Sequence, residues 1–209
     1  MWIFRFLSSL VCCEALSRLE NDASLFVQSL LDERWTMRAN QLIAITGFMG
    51  SGKTEIARAL SAELNLRMID LDEVITTRAG RTPAQLIRED GETAFRNVES
   101  EALAHILKTE DKAVIALGGG AWIEDKNRNL IHDAQCVSIF LDVPFETCWS
   151  RIESSMDERP LGRTREEALD RFEKRRPIYK LADIHVSIEL DQPPTNIAKR
   201  IALQLSEGL

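Results

Sequence analysis

Residues 47–54 of the chain are Gly47-Phe48-Met49-Gly50-Ser51-Gly52-Lys53-Thr54, which match the pattern GxxxxGKS/T. The apolar run Leu42-Ile43-Ala44-Ile45 precedes this segment and predicts a buried parallel strand. The residues from Lys53 to Leu64 follow a helical pattern. Because a glycine-rich turn between a strand and a helix aims backbone N–H groups at phosphate oxygens, the segment predicts a site for a nucleoside triphosphate.

We call residues 47–54 the P-loop. The positions whose backbone is expected to surround the phosphates of the nucleotide are Gly47, Gly50, Ser51 and Gly52. Lys53 is expected to reach the β- and γ-phosphates, and the Thr54 hydroxyl to ligate Mg²⁺. A glycine-rich turn with a chance lysine is the alternative, which the flanking strand and helix disfavour. The loop alone does not identify the reaction, since kinases, GTPases, motors and switches share it.

The rest of the chain alternates short apolar runs with helical stretches, which predicts an α/β fold with a parallel sheet wrapped by helices. Further strands are predicted at 66–69, 113–117, 137–141 and 184–188, and further helices near 72–79, 83–89, 92–108, 126–132, 145–153, 164–181 and 194–207. No internal repeat or low-complexity linker interrupts this alternation. We therefore expect one domain from residue 37 to residue 209.

Composition excludes several classes of protein. The 209 residues are 44% hydrophobic and 28% charged, which is typical of a soluble globular chain. The net charge of -7 argues against general binding to nucleic acid or to a membrane surface. The four cysteines have neither zinc-site nor redox-pair spacing, and no apolar run is long enough for a membrane span. These features predict a cytoplasmic protein with reduced thiols.

Residues 1–36 differ from the rest and are expected to form an extension outside the domain. Apolar residues from Trp2 to Cys13 resemble a signal peptide, but no basic region precedes them and Glu14 follows directly. Helical spacing of some of these residues also allows an amphipathic tail helix. A further alternative is a mis-assigned translation start, with Met37 as the true first residue.

Two carboxylates follow the second predicted strand, in Asp70-Leu71-Asp72. Open α/β sheets bind ligands at the carboxyl ends of their strands, and alternate residues of an extended segment point the same way. Asp70 and Asp72 could therefore both face the site, one towards metal-bound water and the other towards an acceptor hydroxyl. The alternative is that Asp72 only caps the next helix while Asp70 is solvated.

Three other segments carry groups suited to an anionic or hydroxylated acceptor. In Phe95-Arg96-Asn97-Val98-Glu99, the arginine and the glutamate share a helix face, so a carboxylate could hold an inward guanidinium; an exposed ion pair is the alternative. Gly118-Gly119-Gly120 allows backbone to approach a ligand closely, or is simply a flexible turn. Arg159-Pro160-Leu161-Gly162-Arg163 suits a mobile lid, and Arg175 and Arg176 add cations farther on.

Taken together, these segments resemble shikimate kinase, a family of the nucleoside-monophosphate-kinase-like P-loop group. The resemblance extends from about Gln41 to the C-terminus and combines GxxGxGKT, DxD, FRxxE, GGG, RPL and RxPxY in the family's order. It implies a three-layer sandwich whose five-stranded parallel sheet has the order 2-3-1-4-5, with a mobile lid. It also implies transfer of a phosphoryl group from MgATP to the 3-hydroxyl of shikimate.

The resemblance assigns roles by position. Asp72 would hold the acceptor hydroxyl and take its proton, and Asp70 would hold Mg²⁺ through water. Arg96 and Arg175 would bind the carboxylate of shikimate, with Glu99 orienting Arg96. The turn formed by Gly118, Gly119 and Gly120 would contact the ring hydroxyls of shikimate. The lid residue Arg159 would stabilise the transferring phosphoryl group, and Arg151 would stack on adenine.

Two segments depart from the pattern of the family that the chain resembles. Ile87 stands where some family members have an aromatic residue beside the substrate, and the lid contains RPLG rather than RPLL.

Another small-molecule kinase of this fold, such as a gluconate or nucleotide kinase, is the alternative enzyme, and a catalytically silent nucleotide-binding module is the alternative from another class. The chain is expected to act as a monomer. His105, His132 and His185 are expected to be structural, and Trp122 to line either the pocket or the core.

Overall fold

The computed structural model describes residues 41–154, 164–189 and 192–207. Five parallel strands form one sheet in the order β2-β3-β1-β4-β5. The strands are β1 (Leu42–Thr46), β2 (Met68–Asp70), β3 (Ala113–Ala116), β4 (Val137–Asp142) and β5 (Ile184–Ser187). Helices flank the sheet, so the predicted α/β class and the predicted strand order are both confirmed.

The helices alternate with the strands along the chain. They are α1 (Lys53–Leu64), α2 (Leu71–Ala79), α3 (Pro83–Asp90), α4 (Glu92–Thr109), α5 (Asp125–Asp133), α6 (Phe145–Glu153), α7 (Arg165–Tyr179) and α8 (Pro194–Glu207). A 3₁₀ turn, Ala121–Ile123, precedes α5. Helix α1 packs against α8, and α4 packs against α2, α3 and α5.

Burial explains the position of β1. Every residue of β1 is buried, and the strand pairs with β3 on one side, at Leu42↔Ala113, and with β4 on the other, at Ile43↔Val137. A strand covered on both faces favours a continuous apolar run. Strand β5 lies at the edge of the sheet and alternates buried and exposed residues. The central strand therefore carries the P-loop out of the middle of the sheet.

Strand β2 and helix α7 are among the elements whose bounds differ from the sequence prediction. Strand β2 begins at Met68 rather than Leu66, because Asn65 ends α1 in a left-handed conformation and the Leu66 N–H still bonds the Ser61 carbonyl at 2.8 Å. Helix α7 is shorter than predicted at both ends. Thr164 is its N-cap and accepts from the Glu167 N–H, so it stands outside the helix.

The described residues belong to one compact unit. Expectations about residues 1–36 and about the lid arginine Arg159 lie outside the residues that the structure describes. Within the described ranges, no helix is both long enough and apolar enough to cross a membrane. Cys136 and Cys148 are free and buried, and burial raises the pKa of their thiols to about 12 and about 11.

The P-loop packs tightly on α6 at Gly50. This residue has a φ of +76°, and a Cβ built on it would lie 2.5 Å from the Cys148 carbonyl oxygen. Gly80 offers a matched comparison, because its φ is +68° but nothing lies within 4 Å of its Cβ position.

We predict that Gly80→Ala lowers the free energy of unfolding by about 1–2 kcal/mol, the cost of a left-handed alanine. Gly50→Ala should lower it by about 1–3 kcal/mol more, because backbone must also shift. Urea unfolding of the two variants and the unchanged chain measures both values. Equal losses would contradict close packing at Gly50.

Candidate active site

An open cleft of about 860 Å³ lies at the carboxyl ends of the strands. Parallel α/β sheets place ligand sites at this edge. The P-loop, the glycine turn (Gly118-Gly119-Gly120) and helices α2, α4 and α7 all contribute to it. The predicted site residues that line it are Gly50, Gly52, Lys53, Thr54, Asp70, Asp72, Arg96, Gly118, Gly119, Gly120, Arg151 and Arg175. The structure thus brings most of the sequence-predicted groups into one space.

Lys53 lies over the P-loop and its ammonium is held by backbone. Its Nζ donates to the carbonyl oxygens of Gly47, at 3.1 Å, and Phe48, at 2.9 Å. The side chain of Ser51 is only 1% exposed, and its hydroxyl has no hydrogen-bond partner within the described residues. Neither Gly47 nor Ser51 lines the cleft, so these two predicted residues form the floor of the loop rather than its open face.

Thr54 at the start of α1 and Asp70 at the end of β2 bring a hydroxyl and a carboxylate together. Thr54 Oγ1 donates to Asp70 Oδ2 at 3.0 Å, and Asp70 Oδ1 accepts from the Asp72 N–H at 2.9 Å. Hydroxyl and carboxylate oxygens suit Mg²⁺, which takes few protein ligands and keeps water and phosphate oxygens as the others. Among the described residues, no group of three or more His, Cys, Asp or Glu side chains is arranged to hold a metal ion by itself. The donor set therefore fits a magnesium ion that arrives with a nucleotide.

Asp70, not Asp72, caps helix α2, which corrects the alternative that made Asp72 the cap. Asp72 lies in the first turn of the helix, exposed and facing the cleft. The two carboxylates reach the cleft because one caps the helix and the other sits on its first turn. Asp72 is helical rather than extended, so it reaches the cleft by a different route from the one expected for alternate residues of a strand.

Arg96 on α4 is fixed between two carboxylates. Its Nη1 donates to Glu99 Oε2 at 2.7 Å and its Nη2 to Glu92 Oε1 at 3.1 Å. The side chain of Arg96 is 12% exposed and that of Glu99 only 1% exposed, which excludes the exposed ion pair considered from sequence. Burial raises the pKa of the Glu99 carboxyl, although the charge of Arg96 acts in the opposite direction. Burial by itself would lower the pKa of Arg96, but its contacts with Glu99 outweigh that effect, so the pKa of Arg96 is raised.

The glycine turn fits against these charged groups. A Cβ on Gly120 would lie 2.6 Å from Arg96 Cζ, inside the guanidinium. A Cβ on Gly118 would lie 3.0 Å from Glu99 Oε1 and 3.1 Å from Asp72 Oδ1. Side chains at Gly118 and Gly120 would therefore displace the carboxylates or the guanidinium, so the turn is a fitted part of the site.

Arg175 and Arg151 reach the cleft from α7 and α6. Arg175 Nη1 donates to the Gly119 carbonyl oxygen at 3.3 Å, and the Tyr179 hydroxyl donates to the same oxygen. Arg151 Nη1 donates to the Gly50 carbonyl oxygen at 3.1 Å, at the nucleotide side of the cleft. Sequence reasoning gave no role to Tyr179, although the RxPxY pattern contains it.

The structure gives the locations of several other side chains that the sequence left open. Trp122 is buried, donates from Nε1 to the Ile178 carbonyl at 3.0 Å, and belongs to the core rather than the cleft. Arg176 pairs with Asp142, with Nη2 2.9 Å from Oδ2, instead of facing the cleft. Ile87 does line the cleft. The cleft is also lined by residues to which the sequence gave no role, among them Ile188, Gln192, Pro194 and Ile197.

A triphosphate loop and a fixed guanidinium share one cleft, so a phosphoryl donor and an anionic acceptor can meet there. Within an α/β fold of this strand order, that arrangement defines a P-loop kinase of small molecules. The family model described as "Shikimate kinase" matches residues 49–206. The chain belongs to the shikimate kinase family, which confirms the resemblance found in the sequence.

Individual relatives agree with this assignment. Shikimate kinase from Aquifex aeolicus is 36% identical over 163 residues, covering 78% of this chain and 95% of that one, and its crystal structure superposes with a TM-score of 0.68. Shikimate kinase from Persephonella marina is 36% identical, covering 72% of this chain and 91% of that one. Shikimate kinase from Acinetobacter baumannii, solved in complex with shikimate, is 27% identical with a TM-score of 0.70, covering 77% of this chain and 90% of that one.

Family membership makes this chain an ATP-dependent kinase of shikimate, an enzyme of aromatic amino acid biosynthesis, as the sequence predicted. The family uses MgATP. A gluconokinase from Sinorhizobium meliloti is 14% identical with a TM-score of 0.53, covering 80% of this chain and 93% of that one. That likeness shows a common fold only.

The two carboxylates on Arg96 give a matched test of the site. We predict that Glu99→Gln lowers the free energy of unfolding by about 3–5 kcal/mol, because a buried guanidinium loses its counter-charge. Glu92, which is 58% exposed, should matter far less: Glu92→Gln should cost less than about 1 kcal/mol. Urea unfolding at neutral pH measures both, and similar losses would show that Glu99 is not the anchoring partner.

Proposed function

We propose that this chain transfers the γ-phosphoryl group of ATP to the 3-hydroxyl of shikimate, giving shikimate 3-phosphate and ADP, as a monomer whose catalytic domain is residues 37–209. One observation carries the site assignment: the glycine turn adjoins both halves of the cleft. A Cβ on Gly119 would lie 3.6 Å from the Met49 backbone nitrogen of the P-loop, while Gly120 abuts Arg96. A turn that touches both halves would hold donor and acceptor in register, which is the main requirement of phosphoryl transfer.

On the donor side, Lys53 exchanges the carbonyl oxygens of Gly47 and Phe48 for β- and γ-phosphate oxygens. Gly50 and Gly52 line the phosphate cradle, and Gly47 and Ser51 support it from below. Thr54 and Asp70 would hold Mg²⁺, Asp70 through water, and the ion would supply positive charge against the phosphate oxygens.

On the acceptor side, Arg96 and Arg175 bind the carboxylate of shikimate, since guanidinium groups bind carboxylates with directed paired hydrogen bonds. Glu99 orients Arg96, as its 2.7 Å contact supports. Gly118, Gly119 and Gly120 contact the ring hydroxyls, and Asp72 holds the 3-hydroxyl and accepts its proton. The relative from Acinetobacter baumannii was solved in complex with shikimate, which supports this acceptor.

Two further arginines complete the proposal. Arg151, which contacts the Gly50 carbonyl, stacks on the adenine ring. Arg159 lies outside the described residues, and we assign it by its RPL motif to the charge that develops on the transferring phosphoryl group. The lid that carries it would exclude water and so limit hydrolysis of ATP.

The deciding experiment measures ADP release from MgATP by the purified chain, with shikimate, gluconate or AMP as acceptor. We expect strong stimulation by shikimate alone. Stimulation by gluconate or AMP instead would overturn the assignment of Arg96 and Arg175. ATP binding without stimulation by any acceptor would favour a silent nucleotide-binding module.

We predict that Asp72→Asn lowers kcat with shikimate by at least about 10²-fold, because the amide cannot take the hydroxyl proton. ADP affinity, measured by calorimetry, should stay near that of the unchanged chain. The control is Glu73→Gln, which alters a neighbouring exposed carboxylate that does not line the cleft and should leave kcat unchanged. Near-normal turnover in Asp72→Asn would refute the role of Asp72.

A further inference from the structure

The carbonyl oxygen of Gly119 receives two side-chain donors. Tyr179, whose side chain is 1% exposed, donates its hydroxyl to this oxygen, and Arg175 Nη1 donates to it at 3.3 Å. Gly119 is the residue of the glycine turn that lies against Met49 of the P-loop. The peptide at Gly119 is therefore fixed where the two halves of the cleft meet.

Tyr179 is itself held in place by the core. Its ring stacks on Phe140 of β4, with centroids 5.4 Å apart and planes at 17°. The preceding residues of α7 are anchored as well, because Arg176 pairs with Asp142 and the Ile178 carbonyl accepts from Trp122. The hydroxyl is thus presented to Gly119 from a rigid part of the helix, not from a mobile side chain.

The two donors share one acceptor, and this has a consequence for Arg175. A carbonyl oxygen has two lone pairs, and the Tyr179 hydroxyl satisfies one of them. Burial raises the pKa of Tyr179 to about 12, against the opposing effect of Arg175, so the hydroxyl keeps its proton at neutral pH. The second lone pair accepts from Arg175, so loss of the hydroxyl would release the peptide against which this guanidinium is placed.

We propose that Tyr179 is a positioning residue for the acceptor: its hydroxyl fixes the Gly119 carbonyl, and this carbonyl in turn places the guanidinium of Arg175 where it can engage a carboxylate. This inference rests on the proposed role of Arg175. Tyr179 does not line the cleft, and it acts through the peptide and the arginine that it orders.

The test is Tyr179→Phe, which keeps the stacked ring and removes only the hydroxyl. We expect KM for shikimate to rise about three- to tenfold, the equivalent of one hydrogen bond, while KM for ATP and kcat stay within about twofold. The matched control is Ser138→Ala on β4, which removes a buried hydroxyl bonded to Asp183 at 2.6 Å, away from the cleft. Ser138→Ala should change thermal stability but neither KM.

Arg175→Ala, measured in parallel, separates the possible failures. If Arg175→Ala raises KM for shikimate and Tyr179→Phe does not, the positioning role is wrong and the proposed function stands. If neither variant changes that KM, the assignment of Arg175 fails and takes the positioning role with it. If Tyr179→Phe raises both KM values and lowers Tm well beyond Ser138→Ala, Tyr179 is merely structural and the inference is overturned.

Discussion

The buried ion pair of Arg96 and Glu99 is the interaction around which the cleft is organised. A carboxylate that is only 1% exposed is tolerable because the guanidinium lies 2.7 Å away. That pair leaves no room for side chains on the facing turn, where Gly118 meets Glu99 and Gly120 meets Arg96. The glycine turn in turn meets the P-loop at Met49. The ion pair in the acceptor half of the cleft therefore determines where the glycine turn can run beside the P-loop of the donor half.

Much of the fold could be predicted because its signals are local. The continuous apolar run at β1 and the glycine-rich turn after it specify a buried strand followed by a helix, and α1 begins and ends where the sequence predicted. The order of the strands came from the family resemblance instead. Apolar runs of similar length do not reveal which strand pairs with which, so β3 between β1 and β2 was not readable from periodicity.

The site was predictable where a motif names the chemical group and unpredictable where only packing decides. Asp72 and Arg175 belong to motifs, and both line the cleft. Trp122 lies two residues after Gly120, close to the glycine turn in sequence, but the 3₁₀ turn that begins at Ala121 directs its ring into the core. Pro194 lies far along the chain from the P-loop and carries no motif, so nothing in the sequence indicated that it lines the same cleft.

The Arg96–Glu99 pair holds a cation with the chain's own groups, and this bears on the entropy lost when an acceptor binds. A guanidinium that a buried carboxylate already orients loses little side-chain freedom when it binds an anion. Lys53 is held in a similar way by the carbonyl oxygens of Gly47 and Phe48 at the nucleotide side. Each half of the cleft therefore presents a cation that the fold itself has oriented, which lowers the conformational entropy lost on binding.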